Sequence, residues 1–336
     1  MKRTLAVALA VTALMPGLAS SPAAAAPRPV LVFVTNHESG NFDLRIKYSN
    51  GTISEPLDPP SSVSHGIYNS SSTPSVSPDG KTIAFYGWYR ACSATCVDTG
   101  ATIYTMNIDG SGLTPIYRVH DESFEWVLDP KWSPDGKRIM FTVNYKKVDG
   151  RRRLPDLWVL DIDASGAWTP SPLSTRRGDE YWPEWSPDGK HIVYTYSSDS
   201  DGFAPADAKQ TSIVLASADG DEPPQTLARG FWVTGPAFSP DGRSIAYADM
   251  GEAGDENNKI RVMRRDGSDK RTIISGIRWP WSLDYSPDGR FIAFGEGWKN
   301  QHERIVKVQV ATPHRLSVVV DFEGAYDHMP EYFPLP

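Results

Sequence analysis

The sequence predicts an all-β protein, a six-bladed β-propeller with four-stranded antiparallel blades. Three observations lead to this fold class. One short pattern recurs five times at a spacing of about 50 residues, four strand-like runs fill each period, and half a blade stands at each end of the chain. No segment shows the spacing of apolar residues that is typical of an amphipathic helix.

The recurring pattern is a large apolar residue followed by Ser-Pro-Asp-Gly. Its prolines are Pro78, Pro134, Pro187, Pro240 and Pro287, which lie 56, 53, 53 and 47 residues apart. Proline presets φ, aspartate bonds to backbone amides two residues on, and glycine accepts a positive φ, so the run predicts a tight structural turn. The residues before the serine share one register and are expected to pack between blades: Trp132, Trp185, Phe238 and Tyr285, with Tyr332 as their counterpart near the C-terminus.

Each period holds four strands in order. The first ends at the apolar residue before Ser-Pro, and the second is an Ile-x-aromatic run such as Ile83–Phe85. The third alternates, as in Ile213–Ala216, and closes on an Asp-Gly turn of the kind that hairpins prefer. The fourth is short, as at Ile273 and Ile274.

The two ends of the chain complete one another. Leu31–Phe33 looks like a second strand with no first strand before it, and Glu331–Pro334 looks like a first strand with no second strand after it. Pro334 follows Pro287 by 47 residues, the same step as the one before. We therefore expect the C-terminal strand to complete the N-terminal blade, which makes six blades and leaves no open ring.

These residues resemble the TolB-like six-bladed β-propeller family, whose repeat carries the same Ser-Pro-Asp-Gly turn. The resemblance covers roughly residues 30–336 and implies the fold more than a function. The periplasmic TolB protein carries an α/β domain before its propeller, for which this chain has no room. We therefore expect a stand-alone propeller, without the Tol-Pal function.

The N-terminus predicts an export signal. Lys2 and Arg3 precede an apolar run over residues 5–14, and Ala23 and Ala25 form an A-x-A cleavage site. The run is too short to span a bilayer, and no later stretch is apolar enough. We expect a signal peptide at 1–25, cleaved near Ala25, and a propeller domain at 26–336. The mature protein is expected to be secreted or periplasmic and monomeric.

Charge and cysteine content narrow the partners. A net charge of −7 disfavours nucleic-acid binding, which needs a basic surface to replace phosphate counterions. Cys92 and Cys96 are the only cysteines and fall in one loop between a second and a third strand. In an exported protein this predicts a disulfide.

Function is expected at one end of the propeller. The Ser-Pro-Asp-Gly turns occupy the turn face, so the longer second-to-third loops and the blade-to-blade crossings occupy the opposite end, here called the mouth face. Varied loops on a rigid scaffold often carry binding residues. The candidate ligand-binding residues on these crossings are Tyr68, Trp126, Tyr181, Trp182, Trp232, Trp279, Trp281, Tyr326, Asp179, Glu180 and Asp327.

Two interpretations of these residues stay open. The aromatic side chains either form a binding platform or seal the gaps between blades, and the acidic ones either meet a cationic partner or metal or are simply solvated. We favour a platform for Trp281, because Trp279 and Trp281 flank Pro280 and are not expected to bury against one neighbour.

Catalytic signatures are absent from the sequence. It holds no G-x-S-x-G, H-E-x-x-H or phosphate loop. His65, His120 and His328 are candidate metal ligands at the channel mouth, as in metal-dependent lactonases and lyases on six-bladed propellers. The leading hypothesis is a non-catalytic module, without a cofactor, that binds a protein, peptide or envelope glycan. The alternative is such a lactonase or lyase with a divalent metal at the mouth.

Overall fold

The computed structural model shows a six-bladed β-propeller. It describes residues 28–36, 43–57, 73–92, 96–118, 124–145, 156–163, 165–174, 178–198, 210–251, 257–297, 303–312, 315–323 and 325–334, of which 88–92, 96–100, 124–126 and 328 are described by their backbone alone. The described residues contain strands, turns and loops, and no helix that could span a membrane is found among them.

Five blades are sheets of four antiparallel strands in simple sequential order, with the first strand innermost. Blade 2 contains β3 (Ser75–Val76), β4 (Thr82–Cys92), β5 (Cys96–Asn107) and β6 (Thr114–Arg118). Blade 3 contains β7 (Phe124–Trp132), β8 (Arg138–Tyr145), β9 (Asp156–Ile162) and β10 (Trp168–Pro172). Blade 4 contains β11 (Asp179–Trp185), β12 (His191–Ser197), β13 (Thr211–Ser217) and β14 (Gln225–Gly230). Blade 5 contains β15 (Trp232–Phe238), β16 (Ser244–Met250), β17 (Asn258–Arg264) and β18 (Arg271–Ile277). Blade 6 contains β19 (Pro280–Tyr285), β20 (Phe291–Gly297), β21 (Glu303–Gln309) and β22 (Leu316–Val320).

Blade 1 closes the ring with both ends of the chain. Its sheet runs β2 (Asp43–Tyr48), β1 (Pro29–Thr35), β23 (Asp327–Tyr332), with Leu31 opposite Tyr332. Residues 53–57 lie along the outer edge of β2, where Ser54 N–H donates to Ile46 O at 2.8 Å. They take the place of the fourth strand. The closure expected from the two half-blades is confirmed.

The Ser-Pro-Asp-Gly turns repeat one set of local hydrogen bonds. In blade 3, Ser133 Oγ donates to Asp135 Oδ1 at 2.6 Å and accepts the Arg138 amide at 2.9 Å. The glycine that ends each turn has a positive φ, 68° at Gly136. The same bonds recur in the other four turns, as expected of a sequence pattern that specifies a turn by itself.

Successive turns also contact one another around the turn face. A Cβ placed on Gly136 would lie 3.7 Å from Pro78 Cδ, so this glycine lies against the proline of the preceding blade. The same contact recurs at the glycines of the three following turns, Gly189, Gly242 and Gly289. A Cβ placed on Gly80 would lie 3.8 Å from Cγ of Pro334, just after the closing strand. The prolines and glycines thus link neighbouring blades as well as shaping each turn.

The core lies between blades. The aromatic residues of the second strands, such as Phe141, Tyr194 and Phe294, are fully buried. The residue before each Ser-Pro pairs with the isoleucine that begins the second-strand run, as Trp185 does with Ile192. Trp185 is buried and donates from Nε1 to Lys131 O of the preceding blade at 3.1 Å. This supports the predicted packing role.

Cys92 and Cys96 face each other in the backbone register of β4 and β5. Directly opposed residues of antiparallel strands have Cα atoms about 4.5–5.5 Å apart, a separation that a disulfide can bridge. Their side chains are outside the described set, so the bond stays a prediction.

Candidate functional site

The innermost strands share a bulge that the sequence analysis did not foresee. The residue three positions before the repeat aromatic is left-handed in blades 3, 4, 5, 6 and 1: Asp129, Trp182, Gly235, Ser282 and Met329, with φ between 45° and 57°. The strand register shifts at each of these positions. A bulge re-aims side chains, and a tryptophan with positive φ is rare enough to mark a built feature.

These bulges surround a small cavity on the propeller axis. All six blades contribute to its lining: Thr73, Pro74, Asp129, Lys131, Trp182, Pro183, Glu184, Gly235, Pro236, Ser282, Leu283, Pro330 and Glu331. Its volume is about 30 Å³. A water molecule needs about 10–15 Å³ by this measure, so the cavity holds one or two waters. This cavity is therefore too small to hold a peptide or a sugar in this conformation.

A charged group, here called the inner ring, occupies the channel. It consists of Lys131, Glu184, Asp284 and Glu331, each directly before the repeat aromatic of its blade. Lys131 Nζ lies 2.6 Å from Glu331 Oε2 and 3.3 Å from Glu184 Oε2. Asp284 Oδ2 accepts the Tyr332 amide at 2.6 Å. The closing strand β23 is thus connected to blade 3 through Glu331 and to the neighbouring blade 6 through Tyr332.

Burial and crowding shift the pKa values of these groups. Burial raises the pKa of Asp284, and the nearby Glu331 carboxylate raises it further. Burial also raises the pKa of Glu184, with the Lys131 ammonium opposing. Burial disfavours the charge on Lys131, but Glu184 and Glu331 outweigh it and raise its pKa. One ammonium thus serves three carboxyls, so Lys131 stays charged.

Asp129 is a further buried carboxyl beside the inner ring. It is 2% exposed, and Thr73 Oγ1 donates to its Oδ1 at 3.0 Å. Burial raises its pKa to about 7, although the Thr73 hydroxyl and Lys131 act in the opposite direction. Its protonation therefore changes near neutral pH.

Aromatic rings from three blades form one connected cluster at the mouth end of the inner strands. This aromatic cluster comprises Tyr181, Trp182, Trp232, Trp279 and Trp281. Trp281 lies at its centre, with ring centroids 6.1 Å from Trp182, 5.6 Å from Trp232 and 6.0 Å from Trp279.

The cluster is only partly closed to solvent. Trp232 is buried, whereas the other four rings are half-buried. Trp279 and Trp281 both contact Trp232, so the expectation that they would not bury against one neighbour is wrong. Residues two positions apart in an extended segment point to the same side, so the two indoles lie nearly parallel, 19° apart, against one neighbour.

The acidic candidates from the crossings lie inside the protein. Asp179, Glu180 and Asp327 are at most 3% exposed, so they do not form an acidic surface. Ser174 Oγ donates to Glu180 Oε1 at 2.9 Å, and Phe322 N–H donates to Asp327 Oδ2 at 2.7 Å. These carboxyls bond to crossing residues and to the backbone, which suits a structural role.

The remaining candidates are separate from the aromatic cluster or outside the described residues. Tyr326 is half-buried on the crossing into β23, where its amide donates to Asn36 Oδ1 at 2.8 Å. Tyr68, His65 and His120 lie outside the described residues. Trp126 and His328 are described by their backbone only, in β7 and β23.

A metal site is not found in the described part of the chain. No group of three or more His, Cys, Asp or Glu side chains there is arranged to hold an ion. The inner ring fits this result, because its carboxylates already surround the Lys131 ammonium.

The inner ring was not predicted from the sequence, although a signal was available. The position directly before the apolar residue of each repeat reads Ser75, Lys131, Glu184, Ala237, Asp284 and Glu331. Four of these six are charged in an innermost strand, where burial makes charge costly unless it is paired. Comparing the repeats column by column would have predicted the ring.

Comparisons with known proteins agree on the fold. No family model matches the chain. The chain is 29% identical over 121 residues to the uncharacterized peptidase YuxL of Bacillus subtilis, covering 35% of this chain and 16% of that protein. It is 34% identical over 91 residues to the Tol-Pal system protein TolB of Alcanivorax borkumensis, covering 27% of this chain and 18% of that protein. The chain thus spans less than a fifth of either curated relative.

Solved structures extend the likeness to nearly the whole chain. TolB from Acinetobacter baumannii superposes with a TM-score of 0.66 and 16% identity, covering 91% of this chain and 67% of that one. The periplasmic gluconolactonase PpgL from Pseudomonas aeruginosa gives 0.55 and 14%, covering 92% and 99%. At these identities the likeness shows the fold alone. The chain has a TolB-like six-bladed propeller, a fold that the gluconolactonase PpgL shares.

Proposed function

We propose that this protein is an exported, non-catalytic recognition module that binds a segment of a partner protein at the mouth face. The aromatic cluster carries the proposal. Five rings from three successive blades meet beside the channel mouth, and four of them keep part of their surface open to solvent. Tryptophan and tyrosine dominate the energy of protein interfaces because they offer large, rigid contact areas.

The inner ring supports a protein partner over a substrate held inside the channel. The cavity below the aromatic cluster takes one or two waters, so binding has to occur at the mouth rather than in the tunnel. Burial raises the pKa of Asp284 and Glu184 and so favours their neutral forms, which means that the inner ring does not make the mouth acidic. A peptide with apolar and aromatic side chains matches the exposed faces of the aromatic cluster.

The comparisons support a binding role without naming the partner. One curated relative is a TolB protein, and two structural neighbours are a TolB and a putative TolB. The alternative is a metal-dependent lactonase or lyase, since a manganese-bound oligogalacturonate lyase also shares the fold at a TM-score of 0.56. Its metal would have to use residues such as His65, His120 or His328.

A capture experiment with matched tryptophan variants tests the proposal. The purified protein is immobilised, exposed to envelope extract, and its bound proteins are identified and then re-tested as purified components. We expect Trp281→Ala to lose capture while keeping the propeller fold by circular dichroism. Trp168→Ala removes a half-buried indole from outer strand β10 and serves as the control that keeps capture.

Two outcomes would reject the proposal. If Trp281→Ala lowers the free energy of unfolding by about 3–5 kcal/mol, as truncation of a core tryptophan does, the aromatic cluster has a structural role instead of a binding role. If metal analysis finds a stoichiometric divalent ion and the protein opens lactones or cleaves uronate polymers, the catalytic alternative replaces it.

A further inference from the structure

The outer edges of the blades differ in how they are protected. An unpaired edge strand can pair with another chain, and proteins prevent this with proline, glycine, charge or a bulge. Five of the six outer edges carry such residues: Glu55 and Pro56 in blade 1, Pro115 and Arg118 in β6, Pro170 and Pro172 in β10, Arg229 in β14, and Arg271 and Gly276 in β18.

The edge of blade 6 carries a bulge but none of the other devices. Strand β22 reads Leu-Ser-Val-Val-Val, with no proline, glycine or charged residue. Val318 is 54% exposed and is the one exposed large hydrophobic residue among those the structure describes. A bulge at Val319 is its remaining irregularity, and the other edges with a bulge also carry proline or arginine. An unprotected, β-branched edge is the preferred template for strand addition.

The sequence around β22 is complementary to itself. Exposed Arg315 precedes the strand and exposed Asp321 follows it, each three residues from Val318. If two copies pair antiparallel about Val318, Arg315 of each copy faces Asp321 of the other, and the apolar residues face one another between them. Opposite charges across a strand pair are favourable and fix its register.

We propose that a second copy of this chain pairs with the β22 edge, forming a twofold-symmetric dimer with Val318 at the axis. The contact is isologous, so it closes at two copies and does not propagate into a fibre. Blade 6 of each copy then joins one continuous eight-stranded sheet. The proposed dimer differs from the monomer that we expected from the sequence.

The geometry leaves the mouth faces free. The contact lies on the circumference, away from the aromatic cluster. Because the paired edge is short, we expect a weak dimer whose population rises with concentration.

Sedimentation velocity of the purified protein over a concentration series tests the dimer. We expect a monomer–dimer equilibrium that Val318→Lys abolishes without lowering the melting temperature, because it places two ammonium groups at the axis. Thr272→Lys is the matched control. Thr272 is exposed on outer strand β18, opposite Arg261 as Val318 is opposite Val306, and this change should leave the dimer intact.

A charge swap tests the register. Arg315→Asp should weaken the dimer about tenfold, because two attractive pairs become repulsive. Adding Asp321→Arg to the same chain should restore it. Val318→Cys should form an interchain disulfide under mild oxidation, whereas Thr272→Cys should not.

Three results would overturn the proposal. One is a protein that stays monomeric up to millimolar concentration. Another is a dimer that survives Val318→Lys. The third is a series of open-ended aggregates that this substitution abolishes, which would show an adhesive edge without the twofold contact.

Discussion

The turn face and the inner ring lie next to each other at the same end of the innermost strands, but they are built differently. Each Ser-Pro-Asp-Gly turn makes its bonds within five residues, as between Ser133 and Arg138. The inner ring joins residues that are far apart, such as Lys131 and Glu331, 200 positions away. The five turns repeat the same short-range hydrogen bonds, whereas the inner ring forms only when distant blades come together. Substitutions in different turns should therefore have additive effects on stability, whereas substitutions within the inner ring should be coupled.

Removal of the closing strand should have the largest effect. Deleting residues 329–336 removes the half of the β1–β23 ladder that Glu331 and Tyr332 form, together with the Glu331–Lys131 pair and the Tyr332–Asp284 bond. We expect unfolding or aggregation, because a sheet edge and a charged channel become exposed together. Thermal denaturation and light scattering measure this. Deletion of residues 335–336 alone is the control, and equal melting temperatures for the two truncations would contradict the closure.

Loss of the central ammonium should rank second. Lys131→Met leaves Glu184, Glu331 and Asp284 without their counter-charge, and breaking a buried ion pair costs about 3–5 kcal/mol. Urea denaturation measures the free energy of unfolding. Adding Glu331→Gln should recover part of the loss, which separate local contributions would not produce. A double variant with the sum of both single losses would show that the ring does not act as a unit.

The pH dependence of stability isolates Asp129. Its folded pKa of about 7 lies above the ordinary value of 3.8, so the folded state holds a proton that the unfolded state has lost between these values. The free energy of unfolding should therefore fall as pH rises from about 4 to about 7, by up to about 4 kcal/mol from this group.

Asp129→Asn should flatten that slope, because asparagine keeps a buried hydrogen-bonding group without a titrating proton. Urea denaturation at several pH values compares the two proteins. Glu184 and Asp284 contribute a slope of the same sign, since their pKa values are also raised, so the variant should retain part of the dependence. An unchanged slope would remove Asp129 from the explanation.

A turn should show the smallest effect. Ser133→Ala removes one donor and one acceptor of a local turn and should cost about 1–2 kcal/mol. Ser239→Ala, in a turn two blades away with the same bonds, should cost a similar amount. The double variant should lose the sum of the two, since distant and independent sites add. A double variant whose loss of stability differs strongly from that sum would show that the turns are coupled, as the inner ring is expected to be.

The sequence was sufficient for the parts that repeat. The turn pattern, the second-strand aromatics and the closing strand all follow from residues that specify their own local geometry, and the structure confirms them. It was not sufficient for burial on the crossings. Asp179 and Glu180 look like solvated loop residues, yet β11 begins at Asp179, and the neighbouring crossing residues cover both.

The aromatic cluster was predicted in part for the same reason. Single residues such as Trp182 and Trp281 were placed at the mouth from strand order. Their mutual contact depends on left-handed bulges at Trp182, with φ 52°, and at Ser282, with φ 45°. A glycine would have indicated a positive φ at these positions, whereas a tryptophan or a serine does not. Nothing local to either segment encodes that the two rings meet.

The junction between β23 and β1 in blade 1 also determines where the chain of this fold could begin and end. Phe333 N–H donates to Val30 O at 3.0 Å, so the described ends of the chain lie side by side where a turn would otherwise connect β23 to β1. A short linker there would give a continuous ring, and the chain could instead be opened at any of the five equivalent turns. Each circular permutant would keep the inner ring and the aromatic cluster, because neither depends on the blade in which the chain begins and ends.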